Sequence, residues 1–212
     1  VLIRALFVIE LNEFDELVAY TDMHFADWTD GWIKSATATN DILENLFVID
    51  IRSAEAYASG HIDGAVNSTM GTILDTAADA GGLQIAVACY SGQSAASSVM
   101  ALRMAGYADA FSVKYGMAGW HSDFAGSWDG NIGSDRISDF VYDDAPALPV
   151  NDYPVLATGY QNAEDILAAR ILTVLTAGYM GKSQTEVYDG LDDFNVINYC
   201  AEADYTNFGH ID

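Results

Sequence analysis

Residues 83–97 read LQIAVACYSGQSAAS and join an apolar run, a cysteine, a tight turn and a row of small residues. The run before Cys89 is apolar except for Gln84, and it has the length of a buried parallel strand. Gly92 permits a tight turn, and the small residues from Ser94 onward predict a helix. A helix start offers unpaired N–H groups and a positive dipole end, which favour an anion on the Cys89 sulfur. The alternative is an inert core cysteine at a strand end, and this stretch alone leaves both open.

A second stretch, residues 47–67, reads FVIDIRSAEAYASGHIDGAVN and also runs from an apolar strand into a turn. Asp50 and Arg52 follow the strand, and a charge-assisted pair between them would fix the following turn, so both are expected to be structural. His61 follows a glycine and precedes an apolar residue. Because no second ligand lies nearby in sequence, His61 is expected to form hydrogen bonds within the fold.

These stretches resemble the rhodanese (thiosulfate sulfurtransferase) family, which has a D-x-R…G-H-I-x-G-A pattern and an active loop that begins with cysteine. The first pattern falls on Asp50, Arg52, Gly60, His61, Ile62, Gly64 and Ala65. The loop falls on Cys89, Tyr90, Ser91, Gly92, Gln93 and Ser94. The family's closing segment is matched by Gly106, Tyr107, Val113, Gly116 and Trp120, with Met117 where a second glycine is common. The resemblance spans about residues 34–121, and its three motifs occur in the family's order.

The resemblance implies an α/β fold, with a parallel sheet flanked by helices on both faces, and a sulfurtransferase activity. Cys89 would carry a sulfur from thiosulfate, a persulfide or a polysulfide to a thiol or cyanide acceptor. The persulfide would be held by the hydroxyls of Ser91 and Ser94 and by the loop backbone, which comprises Tyr90, Ser91, Gly92, Gln93, Ser94 and Ala95. Many family members have an arginine or lysine in this loop, and this chain has none. A persulfide, a polysulfide or a protein carrier therefore fits the loop as well as thiosulfate does.

The pattern of apolar and small residues supports the same architecture. Strands are predicted near 46–51, 84–89 and 110–114, and helices near 54–59, 70–80 and 94–105. Short strands separated by helices indicate a parallel sheet covered on both faces. Ligands of such sheets bind at the carboxyl ends of the strands, where Cys89 lies.

Two rival functions are weighed against sulfur transfer. One is a non-catalytic rhodanese scaffold used for assembly or partner binding, with Cys89 vestigial. The other is a phosphatase with a C-x-x-x-x-x-R loop, which fails because Ala95 stands at the arginine position.

Charge restricts the partners. The chain has 31 acidic and 8 basic residues in a length of 212, for a net charge of −23. Such a surface repels nucleic acid and anionic membranes, so neither is an expected partner. A small sulfur-containing anion or a persulfide carrier is expected instead. The charge favours an extracytoplasmic location, periplasmic or secreted, or else the cytoplasm of a salt-adapted cell.

The remaining sequence features predict neither membrane insertion nor bound groups. No apolar run reaches the roughly 18 residues of a membrane helix, because Arg4 and Arg170 interrupt the candidates. No signal peptide is visible, and a start at Val1 indicates a processed or trimmed chain. Two cysteines make no disulfide framework. The remaining histidines lack metal spacing, so no metal and no cofactor are predicted; they are His24, His121 and His210.

An internal repeat organises the chain. The segment beginning at Lys34 recurs from Lys182, and His61 matches His210. The second copy ends after its Gly-His-Ile-Asp, and Cys200 stands where the first copy has Arg52. It is therefore expected to be a partial unit without a cysteine loop, one that packs on the first, pairs with another chain in self-association, or belongs to a longer protein. The repeat predicts that residues 34–63 share their secondary structure with residues 182–212.

The repeat also sets the expected domains. Residues 1–33 form a helical lead-in, 34–126 a rhodanese-like domain, 127–154 a linker rich in proline, glycine and aspartate, and 155–212 the partial second unit. The linker contains the three prolines of the chain, Pro146, Pro149 and Pro154. Each copy is expected to be preceded by a helix.

Overall fold

The computed structural model describes residues 12–144 and 152–211. The α-helices in this part of the chain are α1 Glu13–His24, α2 Ala36–Asn40, α3 Ala54–Ala58, α4 Ile73–Ala78, α5 Gln93–Met104, α6 Gly116–Trp120, α7 Gly126–Asp129, α8 Ala163–Ala177, α9 Gln184–Asp189 and α10 Glu202–Phe208. The strands are β1 Ile33–Lys34, β2 Leu46–Asp50, β3 Val66–Asn67, β4 Gln84–Ala88 and β5 Phe111–Val113. Short 3-10 turns occur at Leu43–Asn45, Met70–Thr72, Ser122–Phe124, Ile137–Asp139 and Leu191–Asp193.

The five strands form one parallel sheet in the order β1-β5-β4-β2-β3. Strand β4 is central, with β2 on one side and β5 on the other. Because all strands run the same way, their carboxyl ends share one edge of the sheet. The predicted α/β class and its three longer strands are confirmed. The sequence did not reveal β1 and β3, because two residues give no periodicity.

Apolar residues fill the space on both faces of the sheet. Successive side chains of a strand point to opposite faces, and in β2 Val48 and Ile49 accordingly belong to different clusters. One cluster places Ile49 and Val87 against α5 residues such as Val99. The other contains Val48, Phe111, Val113 and Met117. This two-sided burial explains why the strands read as continuous apolar runs.

The described residues divide into two compact units. The first comprises 12–129 and 153–179, and the second 130–144, 152 and 180–211. Helix α8 thus belongs to the first unit, whereas the sequence assigns residues from 155 onward to the second. The physical reason is its apolar face, which joins the core of the first unit through Leu167, Ile171 and Leu175.

The predicted linker at 127–154 also differs from the structure. Its first residues lie in α7, and residues 137–139 form a 3-10 turn. Val141 then pairs with His210 in an antiparallel bridge, so residues 130–144 belong to the second unit rather than to a separate linker. Pro146 and Pro149 lie outside the described residues.

Helix α1 confirms the helix predicted in the lead-in. Asn12 caps it by accepting N–H bonds from residues 14 and 15. The Glu13 carboxylate accepts bonds from the Thr158 N–H at 2.7 Å and the Gly159 N–H at 2.8 Å. The Thr158 bond is the main reason that the pKa of Glu13 is lowered. Arg4 and the rest of residues 1–11 lie outside the described part.

The second unit consists mainly of α9, α10 and two 3-10 turns. Ser183 and Glu186 form a capping box at the start of α9. Hydrogen bonds from the Ser183 backbone and hydroxyl, with Lys182 nearby, hold the pKa of Glu186 at about 2. The Arg136 guanidinium lies 4.7 Å from the Tyr188 ring centroid.

The two segments that the sequence predicts to be copies share some elements and differ in others. Each copy has a serine-capped helix, then a 3-10 turn, then a second helix. A tyrosine stacks on the repeat histidine in both copies: Tyr57 on His61 at 3.8 Å and Tyr205 on His210 at 3.5 Å. Residues 194–199, however, form no strand, so the prediction of equal secondary structure is wrong there.

Candidate active site

Cys89 directly follows the central strand β4, at the carboxyl edge of the sheet. Its side chain is almost completely covered, with 2% of the residue exposed. The next residue, Tyr90, is 46% exposed, so Cys89 is buried only one residue away from the protein surface. It therefore lies at the position where parallel sheets bind ligands.

Two backbone N–H groups point at the cysteine sulfur. The Gly92 N–H donates to Cys89 Sγ at 3.1 Å and the Ala95 N–H at 3.4 Å. Gly92 adopts φ 91°, a left-handed conformation that glycine accepts readily, and helix α5 begins at the next residue. The turn thus aims the free donors of a helix start at the sulfur, an arrangement that favours negative charge there.

Helix α6 closes the other side of the cysteine loop. The Met117 N–H donates to the Cys89 carbonyl at 2.8 Å, and the Ala118 N–H to the Tyr90 carbonyl at 3.0 Å. Gly116 makes this approach possible, because a Cβ there would overlap the Cys89 carbonyl oxygen. The loop is consequently fixed by backbone contacts on both sides.

The residues on either side of Gly116, Met117 and Tyr115, differ in their backbone conformation. Met117 lies within α6 and is buried. Tyr115 has φ 62°, and it is the only described residue other than glycine with positive φ. Its ring packs against Trp128 at a centroid distance of 4.8 Å, which holds the aromatic side chain beside the loop.

The Asp50–Arg52 pair forms as the sequence predicts. Arg52 Nη2 lies 2.7 Å from Asp50 Oδ2, both side chains are buried, and Nη2 also donates to the Gly60 carbonyl at 2.6 Å. The Arg52 guanidinium carbon is 5.8 Å from the Tyr90 ring centroid and 5.2 Å from that of Phe124. The pair therefore ties the turn after β2 to the residue that follows Cys89.

The other predicted residues take local positions. His61 Nδ1 is 2.9 Å from the Tyr57 carbonyl, a contact within the fold. Ser91 donates to Gln93 Oε1 at 3.4 Å instead of to the sulfur. Among the amides of residues 90–95, hydrogen bonds to Sγ come from Gly92 and Ala95.

Sequence reasoning missed the aromatic rim of the loop and a lysine beside it. The Ser127 hydroxyl donates to the Tyr90 carbonyl at 3.0 Å, next to Trp128. Lys114 immediately precedes Tyr115, and its Nζ lies 5.2 Å from the Tyr115 ring centroid. The one available signal was the position of Lys114 and Tyr115 directly before the matched Gly116.

Comparison with known proteins assigns the fold to a family. The profile of the rhodanese-like domain matches residues 29–123. Thiosulfate sulfurtransferase GlpE of Pseudomonas entomophila (strain L48) is 33% identical over 84 residues, which are 39% of this chain and 77% of that protein. The chain belongs to the rhodanese family. The GlpE protein of Pseudomonas fluorescens (strain SBW25) is 37% identical over 79 residues, covering 36% of this chain and 72% of the relative.

Solved structures of rhodanese proteins are also similar. A rhodanese-related protein from Thermoplasma volcanium matches with a TM-score of 0.39 and 20% identity, covering 42% of this chain and 90% of that one. A rhodanese-like domain protein from Staphylococcus aureus matches with a TM-score of 0.36 and 24% identity, with the same coverage.

Residues 12–144 and 152–211 contain no group of three or more histidine, cysteine or acidic side chains arranged to hold a metal ion. Among the helices of the same residues, none has the length and apolarity needed to cross a membrane.

Proposed function

We propose that this rhodanese is a sulfurtransferase in which Cys89 carries the transferred sulfur. The observation that carries the proposal is the pair of backbone N–H groups, from Gly92 and Ala95, directed at Cys89 Sγ. The relatives named thiosulfate sulfurtransferase support the same reaction class. Sulfur transfer needs a thiolate and then an anionic persulfide at one place, and a pair of fixed N–H donors stabilises negative charge at that place.

The reaction has two balanced steps. In the first, the Cys89 thiolate attacks the outer sulfur of thiosulfate; a sulfur–sulfur bond forms on Cys89, the donor's own sulfur–sulfur bond breaks, and sulfite leaves with the electron pair. In the second, an acceptor such as cyanide or a thiolate attacks the terminal sulfur, and its bond to Cys89 breaks with return of the electron pair to Sγ. A persulfide or polysulfide donor would enter the first step in the same way, with a thiolate or shorter polysulfide as the leaving group.

Each described contact has a role in this scheme. The N–H groups of Gly92 and Ala95 hold the negative charge on sulfur and cost no reorganisation during reaction. The backbone bonds from Met117 and Ala118 keep the loop closed around them. The Asp50–Arg52 pair positions Tyr90 without contacting the sulfur and is therefore structural.

A non-catalytic scaffold is the second candidate. The observation that favours it is the 2% exposure of Cys89, which leaves little room for a bulky donor. A slender anion or a terminal persulfide sulfur demands less space than a folded protein surface does. The two candidates thus differ in whether Cys89 accepts sulfur at all.

The decisive experiment is intact-mass spectrometry after incubation with thiosulfate and, separately, with a polysulfide. The expected result is a gain of one sulfur atom that is lost in Cys89→Ser and released by cyanide. Cys200→Ser is the matched control, because Cys200 is an exposed free cysteine outside the loop. If Cys89 gains no sulfur atom from either donor, the proposal is wrong and the non-catalytic scaffold is favoured.

A further inference from the structure

The positive charges of the first unit are few, and two of them are already occupied. Arg52 is paired with buried Asp50. Arg103 donates to the carbonyls of Trp28, Asp30 and Ala110. Lys114, in contrast, is exposed and has no carboxylate within ion-pair distance among the described residues. In a chain of net charge −23, Lys114 is thus a positive charge at the carboxyl edge of the sheet that forms no ion pair with the described residues.

The strand register brings Lys114 close to the cysteine. Val87 of β4 pairs with Ser112 of β5. Two residues further along, the first segment reaches Cys89 and the second reaches Lys114. Cys89 and Lys114 therefore each come directly after one of two adjacent strands, at the carboxyl edge of the sheet, and neighbouring strands lie about 4.8 Å apart. The Ser112 hydroxyl donates to the Gly92 carbonyl at 3.4 Å, which shows that this side of β5 faces the cysteine loop.

Aromatic contacts hold the lysine at the rim of the loop. Its Nζ lies 5.2 Å from the Tyr115 ring centroid, a cation–π distance. The Tyr115 ring packs on Trp128, and the Tyr115 nitrogen is 3.0 Å from the point that a Cβ on Gly92 would occupy. The Lys114 ammonium therefore packs against Tyr115, a residue that contacts the cysteine loop at Gly92.

We infer that Lys114 supplies the positive charge that the loop itself lacks, and that it binds the anionic end of the sulfur donor. The inference rests on the proposed function. For thiosulfate the bound group would be the sulfonate oxygens, and the same ammonium would face the sulfite that departs after Cys89 takes the outer sulfur. A donor with an oxyanion is then preferred over an uncharged donor of equal size.

The test measures charge selectivity at Cys89 without requiring sulfur transfer. Iodoacetate and iodoacetamide alkylate the same thiolate, but only iodoacetate is an anion. Their rates at Cys89 are compared at low salt in a Cys200→Ser background, in Lys114→Gln and in Lys34→Gln. Lys34 is the matched control, because its Nζ also lies over an aromatic ring, at 5.1 Å from the Phe111 centroid, on the neighbouring strand β1.

The expected result is a loss of about fivefold in the iodoacetate-to-iodoacetamide rate ratio for Lys114→Gln, the size of one unit charge at close range in water. Lys34→Gln should keep the wild-type ratio, and Lys114→Arg should restore most of it. An equal ratio in Lys114→Gln and Lys34→Gln would overturn the inference. So would a complete lack of alkylation at Cys89, since an anion that cannot enter cannot be bound there.

Steady-state kinetics with thiosulfate separate this inference from the proposed function. Lys114→Gln should raise KM about fivefold relative to Lys34→Gln at the same salt, with a smaller change in kcat. If no sulfur reaches Cys89 in the wild type while alkylation still depends on Lys114, the proposed function fails and the anion site stands. If sulfur transfer proceeds and Lys114→Gln leaves KM unchanged, the proposed function stands and the anion site at Lys114 fails.

Discussion

Gly116 is the residue at which the geometry of the cysteine loop depends most directly on a missing side chain. A Cβ there would overlap the Cys89 carbonyl oxygen and lie 2.9 Å from the Gly92 nitrogen. Both are backbone atoms of the loop and cannot rotate away. Gly116→Ala should therefore lower the free energy of unfolding by about 3 kcal/mol and abolish sulfur loading of Cys89.

Urea unfolding followed by intact-mass analysis measures both effects. Gly126→Ala is the control, because no atom lies within 4 Å of its added Cβ and the site is helical. Equal unfolding midpoints for the two variants would show that α6 does not press against the loop.

Tyr115 has a backbone conformation that its side chain disfavours. At φ 62° a residue with a Cβ is less stable than glycine by about 1 kcal/mol. Tyr115→Gly and Tyr115→Ala both remove the ring contact with Trp128, so their difference isolates the backbone. Tyr115→Gly should be the more stable of the two by about 1 kcal/mol in urea unfolding. An alanine variant as stable as the glycine variant would contradict the left-handed geometry.

These residues mark how far single positions can be predicted from sequence. The Asp50–Arg52 pair could be predicted because the two side chains are two positions apart at a strand end. A glycine turn before a helix predicted N–H donors to the sulfur from residues 90–95 as a group, but the sequence did not single out the two amides that bond to it, those of Gly92 and Ala95. Lys114 could not be placed, since its closeness to Cys89 depends on the register between β4 and β5. No local rule predicts a left-handed tyrosine.

Helix α8 illustrates the same limit for whole elements. Its apolar spacing predicts a helix, but spacing does not say which core it joins. Because Leu175 is 3% exposed and Leu172 is 56% exposed on the same helix, the two provide a matched pair. Leu175→Ala should cost about 2–5 kcal/mol of unfolding free energy, and Leu172→Ala should stay within about 0.5 kcal/mol.

Urea unfolding of the full chain measures that difference. If both substitutions change the unfolding free energy by the same small amount, α8 lies outside the core of the first unit. A large effect of Leu175→Ala alone supports the grouping of residues 153–179 with residues 12–129.

The absence of a strand at residues 194–199, which the sequence predicts to match residues 46–50, has a tertiary cause. Residues 46–50 are held by β4 on one edge and β3 on the other. Residues 194–199 have a pattern of apolar residues similar to that of residues 46–50. The described part of their unit, however, contains no strand to pair with them. Ile197 is 68% exposed and Tyr199 98% exposed as a result. Sequence similarity therefore predicted the propensity of the segment, while strand formation depended on partners elsewhere in the chain.

At the scale of the whole molecule, net charge opposes the proposed reaction with thiosulfate. A charge of −23 repels a dianion, and the cysteine loop contains no cation that would offset the field. Salt shortens the reach of surface charge from about 30 Å at 0.01 M to about 8 Å at 0.15 M and 3 Å at 1 M. We therefore expect kcat/KM for thiosulfate to rise with salt by roughly threefold to tenfold.

The contribution of Lys114 fits within this trend, because its attraction acts over a shorter distance than the field of the whole surface. Lys114→Gln should give a lower kcat/KM at every salt concentration and a steeper rise. Gln93→Arg adds a cation at an exposed position of the loop, so it should raise kcat/KM at low salt and flatten the dependence. The iodoacetamide rate at Cys89 is the control, since an uncharged reagent should respond little to screening. A kcat/KM that falls steadily as salt rises, in a protein that stays folded, would mean that surface repulsion does not limit capture of the donor.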